Sequence, residues 1–341
     1  THINAINRDI TLDLIRQGKQ MGLHIAYIYY DAIPLRLKEY KDSAEAHEKY
    51  MQALLTADLI LPISHRSAEE LKLFFHQYQK ARCNTPFINA VPLAGETNLS
   101  KRLKISNHQS DSKVILCVGS MDPRKNQRRL IEAFIEFIKL PEGNGWKLIL
   151  AGHCHHELVE FLNFSRTNYP AVEYVGTPSD EELDKLYRES SFTVFPSIEE
   201  GFGLPIMESL WYGKPCVCAN FGTMNEVAAG GGCFTVDVRN SKAILHALCT
   251  LTEDIGLYKN LCMQAQQRQI PSWDDYTSHV INELEECNFK FNAINKAYYW
   301  IDATANNSFN TGVQRIVRQL AIALNKIGVQ LIPIVWNSDL S

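Results

Sequence analysis

Two carboxylates, Glu200 and Glu208, stand with seven residues between them in the segment EEGFGLPIME (199–208). Gly201 and Gly203 let the backbone approach a ligand closely. Pro205 suits the first helical position, where its missing N–H costs nothing, so a helix is expected from about Leu204. The free N–H groups and positive dipole end of such a helix attract hydroxyl oxygens or phosphate. Glu200 falls in the loop ahead of the helix and Glu208 one turn inside it, so both can reach one ligand. Carboxylates accept hydrogen bonds from sugar hydroxyls and repel phosphates. The pattern therefore fits a ligand with a diphosphate in its middle and polyols at both ends, as in a nucleotide sugar. The plainer alternative is a set of solvated acids placed for the helix dipole.

The second constellation is VGSMDPRKN (118–126), in which Arg124 and Lys125 are adjacent. Two cations there can neutralise a diphosphate leaving group without a metal. At about 4 Å and an effective dielectric of about 20, each charge pair is worth about 4 kcal/mol before desolvation. A solvated basic turn is the alternative, and the joint occurrence of both features at equivalent places in one sheet weighs against it.

Short apolar runs must carry these loops. Residues 23–29, 59–63 and 87–91, separated by helical periodicity near 44–56 and 67–78, predict parallel strands with helical crossovers. A polar stretch, 97–112, reads as a linker. A second series follows, with strands expected at 114–118, 147–150, 172–175, 192–195, 215–218 and 234–236. Ser179 and Glu182 form a capping box, and a helix at 273–287 closes this series. Both acidic and basic segments then lie at the carboxyl ends of strands, where doubly wound sheets bind ligands. Residues 298–341 begin again with a strand, a glycine-led amphipathic helix and another strand.

The 341 residues are 45% hydrophobic with a formal net charge of −4, which suits about two soluble globular domains. A pI near 6.3 with scattered cations gives no footprint for nucleic acid. No run is long enough to span a bilayer and no signal-peptide pattern opens the chain, so a cytoplasmic setting is expected. The nine cysteines, several within apolar runs, read as reduced core residues. The chain opens on Thr1 within a helical pattern, which reads as a piece of something longer.

At this point VGSMDPRKNQ, LILAGH, VEYVGTPSDEELDKLYRESSFTVFPSIEEGFGLPIMESLWYGKPCVCAN and GGCFTVD resemble, in order, the nucleotide-binding half of the retaining GT-B enzymes of glycosyltransferase family 4 (glycosyl transferases group 1). The acids match that family's E-x7-E motif. The likeness is dense over 112–288 and looser over 20–97, through YYDAIPLRLKEY and PISHRSAEEL. It implies two Rossmann-like α/β domains facing a cleft, a nucleotide-sugar donor, a glycan or lipid-linked glycan acceptor, no metal or other cofactor, and retention at the anomeric carbon. It also implies that Glu200 and the backbone from Gly201 through Phe202 and Gly203 to Leu204 hold the donor sugar, that Glu208 holds the ribose, and that Arg124 and Lys125 hold the diphosphate. Ser120 and His153 join the donor side, with His153 near the base. The expected divisions are a partial acceptor-side domain at 1–100, a donor domain at 101–288, and at 289–341 a linker with the first βαβ unit of a following transferase. The last piece either folds back onto 1–97 or stands apart. The subset it resembles assembles polysaccharide or O-antigen, where mannose is common, which sets the work at the inner face of the membrane.

Two departures matter. Ser120 stands where many members have arginine, and Tyr30 precedes Asp31 where many have histidine, so an acceptor-side role for that histidine does not carry over. HCHHE (153–157) invites a metal reading, yet its ligands crowd together in sequence and His153 fits the base side better. The helix over 66–82 mixes Leu71, Phe74 and Phe75 with Lys80 and Arg82, leaving peripheral membrane contact open, although core packing is the simpler account. A catalytically silent sugar-nucleotide module and an epimerase of similar fold are the rivals. A dinucleotide oxidoreductase is disfavoured by the absence of a G-x-G-x-x-G turn.

Overall fold

The computed structural model describes residues 8–78, 85–97, 102, 112–287, 296–300 and 312–334. Two compact units emerge: Thr1–Ala94 together with Pro271–Ser341, and Gly95–Ile270. The first contains β1 (Ala26–Tyr29), β2 (Leu59–Pro62) and β3 (Phe87–Ile88), parallel and in that order. Leu59, Ile60 and Leu61 are buried because helices cover the sheet. Leu71 and Phe75 of the helix His65–Tyr78 pack into the same core, so that helix is amphipathic and core-bound. Its apolar neighbour Leu73 stays exposed, and Lys80 and Arg82 lie outside the described residues. The third strand is two residues long where the sequence suggested five.

The second unit holds six parallel strands: β4 (Val114–Val118), β5 (Lys147–Ala151), β6 (Val172–Tyr174), β7 (Phe192–Phe195), β8 (Cys216–Ala219) and β9 (Cys233–Val236). Their spatial order is β6-β5-β4-β7-β8-β9. Chain order reverses between β4 and β7, which makes the gap beyond their carboxyl ends the topological switch point, the usual ligand position in such sheets. β7 and β8 are buried throughout, the pattern of central strands covered on both faces. Cys216 and Cys218 belong to this core as free thiols. Ser179 and Glu182 close the expected capping box at 3.2 and 2.7 Å.

Two further strands, β10 (Lys296–Trp300) and β11 (Gln330–Ile334), pair in parallel around the helix Gly312–Lys326. The helix Trp273–Glu286, expected at the end of the second series, groups with residues 1–94 instead. Asn89 donates to Glu283 at 2.5 Å, and Asp274 pairs with Lys326 at 3.2 Å, so this helix ties the early strands to the C-terminal pair. Most of the linker expected at 97–112, and residues 301–311 of the C-terminal piece, lie outside the described residues. Among the described residues no helix is long and apolar enough to cross a membrane.

Candidate active site at the switch point

Two glycines bring the loops after β4 and β5 into contact. Gly152 has φ 141°, and a Cβ there would stand 2.2 Å from the carbonyl oxygen of Gly119, so only glycine fits. Beyond the strand ends the backbones stay paired, Met121 N–H to His153 O at 2.7 Å and His155 N–H to Met121 O at 2.8 Å. Ser120 and an exposed His153 therefore sit on neighbouring loops, both at carboxyl ends. The Asp122 carboxylate then caps a single 3-10 turn, Pro123–Lys125, by accepting from Arg124 N–H at 3.0 Å.

Asn126 ends that turn in the left-handed region, φ 60°, a conformation asparagine tolerates better than most residues. Its buried amide donates to the carbonyls of Pro196 at 3.1 Å and Val238 at 2.9 Å, clamping the β4 loop to the loops after β7 and β9. Ile198 N–H adds a bond to Arg124 O at 3.0 Å. Arg124 and Lys125 are thus fixed against the segment leading to Glu200.

The cations meet Glu200 directly. Its Oε1 lies 2.6 Å from Lys125 Nζ, 3.0 Å from Arg124 Nη1 and 2.6 Å from the Ser197 hydroxyl that donates to it. The three charged side chains are only 10 to 14% exposed. Burial alone would raise the Glu200 pKa, but the charges of Lys125 and Arg124, with hydrogen bonds from Lys125 and Ser197, hold it down at about 2. Arg124 also donates to the carbonyl of Glu199, and Thr223 Oγ1 donates to the carbonyl of Glu200 at 2.9 Å, so the backbone of the turn is pinned from two sides. Lys125 Nζ stands 5.1 Å from the Phe195 ring centroid.

Gly203, φ 112°, caps the helix Leu204–Trp211. The helix begins at Leu204 as expected, and Pro205 occupies its second position instead of its first. Gly201 and Phe202 are buried in the turn ahead of it. Glu208 is buried one turn in, where Tyr187 donates to its Oε2 at 2.7 Å. Tyr187 stacks on Tyr212 with ring centroids 4.9 Å apart and planes 6° from parallel, and Tyr212 donates to Asp184 at 2.7 Å. The fold thus joins Arg124, Lys125 and Glu200 in one contact cluster, while Glu208 is held by an aromatic pair.

Sequence reasoning missed Ser197, Asn126, Thr223 and Tyr187. An asparagine at the end of a strand-to-helix turn is a weak signal for a left-handed residue. Tyr187 carried no signal apart from that of a core aromatic on an amphipathic helix. Among the described residues one group has clustered metal-ligand atoms: His155, His156 and Glu157, within 4.8 Å of one another at the start of the helix His156–Asn168. Crowding in sequence does not by itself keep those donors apart.

Residues 100–268 match the family Glycosyl transferases group 1. The chain is 31% identical over 257 residues to O-antigen chain mannosyltransferase B of Escherichia coli, covering 71% of this chain and 64% of that protein. It is 27% identical over 213 residues to the E. coli serotype-specific mannosyltransferase WbdA, covering 59% of this chain and 26% of that one. It therefore spans about a quarter to two thirds of the length of these relatives. In structure it resembles Anabaena HepE, crystallised with UDP and glucose, at a TM-score of 0.63 and 17% identity over 82% of this chain and 76% of that one. Sucrose-phosphate synthase of Thermosynechococcus elongatus gives 0.63 and 19% over 80% and 70%.

Proposed function

We propose that the chain carries a glycosyltransferase domain, that it binds a nucleotide sugar at the switch point of its GT-B fold, and that it moves the sugar, with retention and without a metal, to a glycan or lipid-linked glycan. In this reading Arg124 and Lys125 take up the charge that grows on the diphosphate as the anomeric carbon–oxygen bond breaks. The backbone from Gly201 to Leu204 and the carboxylate of Glu200 receive the donor sugar, Glu208 the ribose, and Ser120 and His153 line the nucleotide end. Mannose is the proposed sugar, with support from the mannosyltransferases that the chain resembles. Those relatives also support a role in cell-surface polysaccharide assembly; the cytoplasm at the inner face of the membrane is the proposed place of that work.

The observation that carries the reading is a pair of largely buried cations after β4 held against the acid that follows β7, the two strands that flank the reversal of strand order. Thermal shift with GDP, UDP, ADP and dTDP sugars, in buffer containing EDTA, tests it. A donor at about a hundred times its dissociation constant stabilises by about 2.7 kcal/mol; no shift with any of them would refute donor binding. A catalytically silent nucleotide-sugar module is the second reading, favoured by Ser120 and Tyr30 standing where many family members have arginine and histidine. Binding without turnover, in the presence of a mannosylated acceptor, would select it. NMR of the product's anomeric signal tests retention.

A further inference from the structure

We propose that Glu200 is a built-in competitor for the diphosphate, and that this competition makes the site prefer a sugar-bearing nucleotide over the bare nucleoside diphosphate left after transfer. The inference rests on the donor-site reading above. A single carboxylate oxygen, Oε1, lies within 3.0 Å of both Lys125 Nζ and Arg124 Nη1, and Ser197 donates to that same oxygen. It fills the place between the two cations that a phosphate oxygen would take. The turn gives little room for both anions. Its backbone is pinned through Thr223 and Ile198, and the three charged side chains are nearly withdrawn from water.

With the carboxylate in place the cluster carries one net positive charge. A diphosphate brought against it makes the total negative unless the carboxylate turns away, and like charges at contact distance in a low-dielectric site repel strongly. Donor binding is therefore an exchange in which phosphate oxygens replace Glu200 on Arg124 and Lys125. A buried carboxylate that loses its cations must find other donors or be penalised for desolvation. Hydroxyls of the attached sugar supply those donors. A nucleoside diphosphate supplies none there, and its terminal phosphate bears one more negative charge than the same group in the sugar ester. The carboxylate then returns to the cations and drives the spent nucleotide out.

Calorimetric titration of GDP and GDP-mannose, with UDP and UDP-glucose in parallel, tests the exchange in the wild-type chain and in Glu200→Gln. The neutral variant should bind the nucleoside diphosphate about tenfold more tightly, and the ratio of sugar-nucleotide to diphosphate affinity should fall by at least as much. Ser197→Ala keeps every charge and only loosens the carboxylate; about threefold tighter diphosphate binding is expected. Glu132→Gln, on an exposed helix face, makes the same change in net charge and should leave both affinities unaltered. Circular dichroism melts check that each variant folds. If the wild type binds but neither site variant tightens its hold on the nucleoside diphosphate, the exchange is wrong and the donor-site reading survives. If the wild type binds none of the four nucleotides, both fall together.

Discussion

The carboxyl ends of the strands are chemically unlike in the two units, although both sheets are parallel and helix-covered. Beyond β4 and β7 the second unit gathers full charges, two cations on one carboxylate, in near-complete burial. Beyond β1 and β2 the first unit gathers hydroxyls and a neutral imidazole beside an ion cluster, Arg36 and Arg66 on Glu70, whose arginines are 34 and 43% exposed. Ser67 donates to the carbonyl of Tyr30 at 2.8 Å, Ser64 and Ser67 share a hydrogen bond at 2.9 Å, and His47 Nε2 meets the carbonyl of Asp31 at 3.1 Å. Burial holds the His47 pKa down at about 4, more than its bond to the Asp31 carbonyl raises it. One topology thus presents cations almost withdrawn from water in one unit, and in the other neutral hydrogen-bond chemistry beside cations that remain open to water. Strand order fixes where a ligand can sit, and loop residues fix what kind.

The comparison breaks most directly at Gly152. Replacing it with Ala drives a Cβ into the Gly119 carbonyl at a φ that alanine avoids, so the second unit should lose about 4 kcal/mol in denaturant melts. Chemical shifts of the Tyr30 and His47 region should stay put. Removing a cation comes next. Lys125→Ala should weaken nucleoside diphosphate binding about a hundredfold, roughly 2.7 kcal/mol, and leave the nucleoside nearly unaffected. Equal losses for the two ligands in calorimetry would make the lysine structural.

Acid should separate the units by pH. Unfolded, His47 takes a proton below about 6.5, whereas folded it resists until about 4. Its contribution is therefore complete above pH 6.5 and disappears as the pH falls to 4, a loss of about 3 kcal/mol. Glu200 behaves differently: its pKa is depressed, so its contribution is complete above about 4.5 and is lost only as the pH falls through about 2. Melts between pH 7 and 4 should therefore shift in the wild type and stay flatter in His47→Gln. The smallest effect belongs to Tyr187→Phe, which removes one donor from Glu208 and keeps the stack on Tyr212. It should cost about 1 kcal/mol of stability, and a double-mutant cycle with Glu208→Gln should recover most of that as coupling.

Much of this was legible in the chain itself. The apolar runs marked β4 and β7 to the residue, since five- and four-residue stretches bounded by Ser, Gly and Pro leave little freedom of placement. EEGFGLP marked the helix start for the same reason, because a left-handed glycine and a proline permit few alternatives. Contacts between distant loops were not legible. The sequence suggested separate tasks for Glu200 and for Arg124 with Lys125, and nothing in their spacing says that they touch in the free protein. The grouping of Trp273–Glu286 with the first unit was equally hidden, for an amphipathic helix displays an apolar face without naming what covers it.

Asn126 has a consequence for how the protein is made. Its amide joins carbonyls 70 and 112 residues further along the chain. During synthesis the turn bearing Arg124 and Lys125 leaves the ribosome before either carbonyl exists, so its amide stays hydrogen-bonded to water while three strands precede Pro196 and two more precede Val238. Such distant pairings are slow to form, and the cation site is therefore assembled near the end of the folding of its unit. A nascent chain stalled just short of Val238 should hold most of the sheet and lack a fixed place for a diphosphate.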